Sequence, residues 1–164
     1  EVCEAADVEL ANLNCPGQLV ISGALASIEK ACELAKEKGA KRALPLTVAG
    51  AYHSRLMESA STELESALRE VELNLPMVPV ISNVTAKPHA TAGEILQRLV
   101  EQVTSSVLWE TSIRYLVEQG FTRFIELGPG NALTGFMRRI DRELEVYNIS
   151  DCESLEKTVN ALKS

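Results

Sequence analysis

The sequence predicts an α/β protein, and three observations predict it. From Ser54 onward, β-type runs alternate with amphipathic helical runs, the pattern of a sheet layered with helices. Ahead of that stretch the chain reads strand, strand, helix, strand, a small α+β unit. Gly, Pro and capping residues separate nearly every pair of runs.

Each element follows from a local signal. Glu1-Val-Cys-Glu-Ala-Ala6 reads as the last turns of a helix already under way. Val8 to Leu13 and Gln18 to Ser22 alternate apolar and polar residues around the turn residues Asn14-Cys-Pro-Gly17, which predicts a β-hairpin. Ile28, Ala31, Cys32 and Ala35 recur at helical spacing, and Gly39 is a natural stop. Ala43, Leu44, Leu46 and Val48 predict a strand over 41–48. A ferredoxin-like βαββαβ module would need one more strand and helix ahead of these.

Leu56, Ala60, Leu64, Ala67, Leu68 and Val71 form a 3.6-residue stripe and predict a long helix after Ser54. Val78-Pro-Val-Ile81, apolar on both faces, predicts a strand buried in a parallel sheet. Thr91-x-x-Glu94 is a capping box ahead of Ile95, Leu96, Leu99, Val100 and Val103. Trp109 to Gln119 reads as a helix closed by Gly120. Phe124 to Leu127 reads as a strand entering Gly128-Pro-Gly130, with a helix through Ile140. Val146 to Ile149 is the last strand, and Ser150-x-x-Glu153 predicts the cap of a final helix carrying Leu155, Val159 and Leu162.

Composition narrows the function classes. The 164 residues are 46% apolar and 24% charged, and 23 acidic against 16 basic residues give a net charge of −7, which disfavours non-specific nucleic-acid binding. Apolar runs such as Leu75 to Ser82 are far short of the roughly 20 residues of a membrane span. Cys3, Cys15, Cys32 and Cys152 fit neither a zinc clamp nor a dense disulfide framework, and read as reduced, mostly structural thiols, with Cys32 and Cys152 packing their helices.

Two histidines are the candidates for proton transfer. His53 sits on a Gly/Ala-rich loop between a predicted strand and helix, a place where imidazole can act as a general base. His89 follows Lys87-Pro88 and reads as solvent-exposed. No G-x-S-x-G elbow is present, and Ser54, next to His53, is badly placed to pair with it. Gly128-Pro-Gly130 reads either as a tight turn or as an anion site at a helix N-terminus. Arg138 and Arg139 either complement the end of a helix macrodipole or form a docking surface for an acidic partner.

Seven blocks in order then carry a resemblance: Asn12-Leu-Asn-Cys-Pro-Gly-Gln18; Gly39-Ala-Lys-Arg-Ala-Leu-Pro-Leu46; Tyr52-His-Ser54 with Leu56-Met57; Val78-Pro-Val-Ile-Ser-Asn83; Gln102; Val107-Leu-Trp109; and Glu126-Leu-Gly-Pro-Gly130 with Leu133-Thr-Gly135. Together they resemble the C-terminal part of the malonyl-CoA:acyl carrier protein transacylase family. The resemblance implies an α/β-hydrolase-like acyltransferase core with an inserted ferredoxin-like subdomain truncated at its N-terminal side, residues 1–48 in the subdomain and 49–164 in the core. It implies a cytoplasmic enzyme of fatty acid biosynthesis, moving malonyl from malonyl-CoA to the phosphopantetheine thiol of acyl carrier protein by ping-pong chemistry through an acyl-serine, with no metal or redox cofactor.

By the same resemblance, His53 matches the histidine that takes the serine proton. Gln102 matches the glutamine whose backbone carbonyl holds the other ring nitrogen, the orienting work an aspartate does in the protease triad. Asn12, Asn14, Tyr52 and Asn83 match positions near the substrate. The GHSxG serine, the arginine that pairs with the malonyl carboxylate and the early oxyanion-hole glutamine lie upstream in the family, so the chain alone is expected to be inactive, with an N-terminal remainder as its partner. Ser105-Ser106 stands where the family carries a proline. Tyr52 favours malonyl over methylmalonyl, a methyl against a filled wall being typically worth about 1–3 kcal/mol. Two other readings are an acyltransferase domain of a polyketide or modular fatty acid synthase, and a non-catalytic binding module of the same fold.

Overall fold

A computed structural model describes residues 1–163. Contacts divide the chain into two compact units, the first Glu1–Asn14 with Gln18–Trp109, the second Cys15–Gly17 with the chain from Glu110 onward. Arg55 ion-pairs with Asp7 and Glu9, and Val107 bonds to the backbone of Ala11 and Leu13, so residues 52–109 pack as one body with the hairpin.

In the first unit, helix α1 (Val2–Ala6) stops where Asp7 turns left-handed and its N–H returns to the Cys3 carbonyl. The hairpin follows as β1 (Glu9–Cys15) and β2 (Gln18–Ser22), joined by the Pro16-Gly17 turn. Helix α2 (Leu25–Glu37) packs its Ala31 against Ala6 and Val8, with Val2, Cys3, Ile21, Ile28 and Leu34 around them. Gly39 ends α2 at φ +90°, where it donates to Lys36 and Ala40 donates to Ala35. That is a Schellman motif, which needs the left-handed residue glycine supplies.

Two predicted strands are not strands. Residues 41–48 form no ladder, with Leu44 71% exposed, and Val78–Ile81 keeps only an isolated antiparallel bridge from Ile81 to Pro88, with Val78 68% exposed. Pro45 and Pro79 each remove a ladder donor, and no neighbouring strand lies beside either segment within the unit. The long helix after Ser54 opens with a 3₁₀ turn at Arg55–Met57 and continues as α3 (Glu58–Arg69). Helix α4 (Ala92–Gln102) has its box as expected: Thr91 accepts from the Glu94 N–H, and the Glu94 carboxylate accepts from Ala90. The Ser61 hydroxyl of α3 donates to the Val100 carbonyl of α4 at 3.1 Å and ties the two helices together.

The second unit holds α5 (Trp109–Glu118) from Glu110, β3 (Arg123–Leu127), α6 (Ala132–Ile140), β4 (Glu145–Ile149) and α7 (Cys152–Lys163). A second Schellman motif ends α5: Gly120 at φ +89° donates to Val117, and Phe121 donates to Leu116. Strands β3 and β4 are parallel, with Glu126 opposite Asn148 and α6 as their crossover. The cap of α7 is Asp151 rather than Ser150. Asp151 accepts from the Ser154 N–H at 2.8 Å and its own N–H donates to the Ser154 hydroxyl, so the box is shifted one residue along. Cys152 in its first turn is exposed, against the packing role expected for it, and none of the four cysteines forms a disulfide. Among the described residues, no helix is long and apolar enough to cross a membrane.

Candidate active site

The loop before α3 carries His53 at φ +60°, in the left-handed region that is uncommon outside glycine but visited more often by histidine than by most residues. Its Nδ1 lies 3.0 Å from the backbone carbonyl oxygen of Gln102. A carbonyl can only accept, so Nδ1 carries the proton and donates, and in the neutral ring Nε2 keeps its lone pair. The Gln102 side-chain amide nitrogen lies 3.3 Å from Nδ1 and 3.3 Å from the Ser105 carbonyl. Two N–H donors cannot bond each other. With Nδ1 protonated, the amide therefore donates to Ser105.

The accepting carbonyl is available because of where α4 ends. The last carbonyls of a helix lack intrahelical partners. Here Val103 donates to Val100, and both Thr104 and Ser105 donate to Glu101, which leaves the Gln102 carbonyl for the imidazole. His53 immediately precedes the elements that lead into α3, and the Ser61–Val100 bond ties α3 to α4. Packing of two helices thus sets the distance between the imidazole and the Gln102 carbonyl.

The segment after Gln102 gathers two other expected site residues. Val107 donates to Ala11 and accepts from Leu13, which places Asn12 at a parallel bridge to Val107, and Leu108 donates to the Asn83 carbonyl at 2.9 Å. The serines in place of the family proline hold this segment: Ser105 receives the Gln102 amide, and the Ser106 hydroxyl donates to Leu10. Asn12 and Asn14 are two residues apart on β1 and share a face. Among the described residues, no hydrogen bond engages the side chains of Asn12, Asn14 or Asn83, and none links them to His53. Tyr52 is half exposed beside Gly50.

Among the described residues, no serine or cysteine hydrogen-bonds the His53 ring. The Ser54 hydroxyl is wholly buried and donates to the Ala51 carbonyl. Burial pushes the Cys15 thiol up, against the pull of Arg139, so it stays protonated. His89 is half-buried rather than solvent-exposed, and its Nδ1 is buried without a partner.

In the second unit, one residue that sequence reasoning missed decides the Gly128-Pro-Gly130 question. Glu126 on β3 accepts from the N–H groups of Leu133 and Thr134 at 3.0 Å each and from the Thr134 hydroxyl at 2.6 Å. The protein's own carboxylate thus occupies the N-terminus of α6, and Asn148 closes the loop by donating to the Gly130 carbonyl. Burial raises the Glu126 carboxyl, but the bonds from Thr134, Leu133 and Asn148 outweigh it and hold the group below the usual carboxylate range. An acid two residues before a strand-to-helix turn was the available signal. Arg138 and Arg139 are both exposed on the last turn of α6, and Arg139 donates to the Pro16 carbonyl at 2.7 Å.

The structure is thus that of an α/β chain with a loop histidine whose Nδ1 donates to a helix-end carbonyl. The chain belongs to the acyl transferase domain family, which it matches over residues 2–159. It is 47% identical over 156 residues to the malonyl CoA-acyl carrier protein transacylase of Bacillus subtilis (strain 168), covering 95% of this chain and 49% of that protein. A polyketide biosynthesis malonyl CoA-acyl carrier protein transacylase of the same organism is 46% identical over 140 residues, 85% of this chain and 48% of that one. Among solved structures, the malonyl CoA-acyl carrier protein transacylase of Clostridium perfringens superimposes with a TM-score of 0.95 at 38% identity, over 99% of this chain and 52% of that one. A type II polyketide acyl-carrier protein in complex with its malonyl-transacylase matches at TM-score 0.95 and 35% identity, over 98% of this chain and 53% of that one. The chain spans about half the length of these relatives.

Proposed function

We propose that this chain supplies the general base of a malonyl-CoA:acyl carrier protein transacylase, and that the serine it serves lies in a further polypeptide segment corresponding to the other half of its relatives. The observation that carries the reading is the 3.0 Å contact from His53 Nδ1 to the Gln102 carbonyl, which leaves Nε2 as a base. In the first half-reaction Nε2 takes the serine proton as the serine oxygen bonds to the malonyl carbon. The carbon–sulfur bond breaks, and the imidazolium returns the proton to the departing CoA thiolate. In the second half Nε2 takes the proton of the carrier's pantetheine thiol, sulfur attacks the ester, and serine leaves with that proton.

In this reading Asn12, Asn14, Tyr52 and Asn83 line the acyl-CoA side, with Tyr52 filling the space of an α-methyl branch. Arg138 and Arg139 meet the acidic carrier protein, Arg139 with part of its guanidinium already given to Pro16. The chemistry calls for no metal or redox cofactor, and the setting is cytoplasmic. Residues 1–48 belong to the family's inserted ferredoxin-like subdomain and 49–164 to its hydrolase-like core, a division by fold ancestry that compactness need not follow. The exposed apolar segments at 41–48 and 78–81 become strands when the rest of that core lies beside them. Identities of 47% to a malonyl CoA-acyl carrier protein transacylase and 46% to a polyketide biosynthesis one support the same chemistry.

The test is malonyl transfer from labelled malonyl-CoA to acyl carrier protein. The full-length protein is expected to transfer and the 164-residue chain alone is not. Transfer by the chain alone would overturn the assignment of the nucleophile to another segment.

A further inference from the structure

The turn that presents His53 is closed in an unusual way. Ala51, Tyr52, His53 and Ser54 occupy its four positions, and His53, the third, has φ +60°. A turn with a left-handed third residue is ordinarily closed by the fourth residue's N–H donating to the first residue's carbonyl, and it ordinarily places Gly or Asn third. Here the Ala51 carbonyl receives the Ser54 hydroxyl as well, at 2.6 Å. Ser54 is 0% exposed, so its hydroxyl has no water to turn to. The backbone of Ser54 is extended, and its carbonyl accepts from Met57 to open the 3₁₀ turn that leads into α3.

We propose that Ser54 is a positioning residue for His53: its buried hydroxyl closes the Ala51–Ser54 turn and holds His53 in the left-handed conformation from which Nδ1 reaches the Gln102 carbonyl. The side chain thereby sets the tautomer of a ring it does not touch. A backbone bond alone would close such a turn around any residue, whereas the added side-chain bond makes the geometry of residue 53 depend on the identity of residue 54. The proposal deepens the reading of His53 as the base and rests on it.

The experiment is nitrogen-15 correlation spectroscopy of the imidazoles in the 164-residue chain at about pH 8.5, where an ordinary histidine is neutral. Comparison with His89→Gln assigns the two rings. The unsubstituted chain is expected to show His53 protonated at Nδ1 and bare at Nε2. Ser54→Ala is expected to lose that single tautomer, passing to the Nε2-protonated form an unconstrained histidine favours, with backbone amide dispersion unchanged. Ser54→Thr restores a hydroxyl at an extended position and is expected to restore the Nδ1-protonated form. A Ser54→Ala chain that keeps Nδ1 protonated and Nε2 bare overturns the proposal while leaving the base assignment intact. If Ser54→Ala loses amide dispersion, Ser54→Cys, similar in size and a weaker donor, makes the same comparison. Retention of the single tautomer in that variant overturns the proposal, and its loss supports it. An unsubstituted chain with His53 protonated at Nε2 would instead sink the base reading itself.

Discussion

At the scale of single residues, the site depends on a backbone atom as much as on a side chain. Gln102 orients His53 through its carbonyl, which every amino acid carries, while its own amide serves Ser105. Gln102→Ala is therefore expected to leave kcat for acyl transfer by the full-length protein within about tenfold, because removing a neutral hydrogen bond costs about 1 kcal/mol. A loss of three or more powers of ten would show that the amide, and not the carbonyl, sets the tautomer. His53 was legible in the sequence as the histidine of a Gly/Ala-rich loop, and Gln102 only through resemblance. Nothing local marks a glutamine whose useful atom is its backbone oxygen.

At the scale of elements, local chemistry decided what could be read. Gly39 and Gly120 end their helices in Schellman motifs, which need a left-handed residue just past the helix, and each is a glycine at φ near +90°. Thr91 and Glu94 cap α4 for the same local reason. The α7 cap was misplaced by one because Ser150-x-x-Glu153 and Asp151-x-x-Ser154 overlap, and the carboxylate of Asp151 takes both the N–H and the hydroxyl of Ser154. Glu126 was missed because it caps α6 from a strand, seven and eight residues ahead of its donors. Its carboxyl lies below the usual range in the folded state, so the stabilisation is complete above about pH 4.5 and is lost as pH falls through the lower folded value. Glu126→Gln is expected to lower stability at pH 7 by about 1–3 kcal/mol and to flatten the loss on acidification. Denaturant titrations at pH 7 and on acidification check both; equal stability at pH 7 would mean the cap contributes nothing.

At the scale of the whole molecule, apolar pattern and structure part company. Residues 41–48 and 78–81 carry strand-like apolar residues, yet lie without ladder partners and expose Leu44, Leu46, Val48, Val78 and Val80. Periodicity reports which faces avoid water; a strand also needs a neighbour, and that information is not local. If the other half of the relatives' length supplies the neighbour, amide hydrogen exchange in both segments is expected to be fast in this chain and strongly slowed in the full-length protein. Equal exchange in both would show that these segments are loops in the enzyme too. The net charge of −7 reveals nothing of Arg138 and Arg139, a local basic pair on an acidic chain.

The central claim is that His53, with Nδ1 held by the Gln102 carbonyl, is the base that takes the proton of the serine as it becomes acylated. Rapid-quench measurement of the malonyl-enzyme burst, in the full-length protein bearing His53→Ala, tests it most directly. Loss of the burst at neutral pH, by about a thousandfold or more in rate, is the predicted result. An undiminished burst from a folded variant would contradict it.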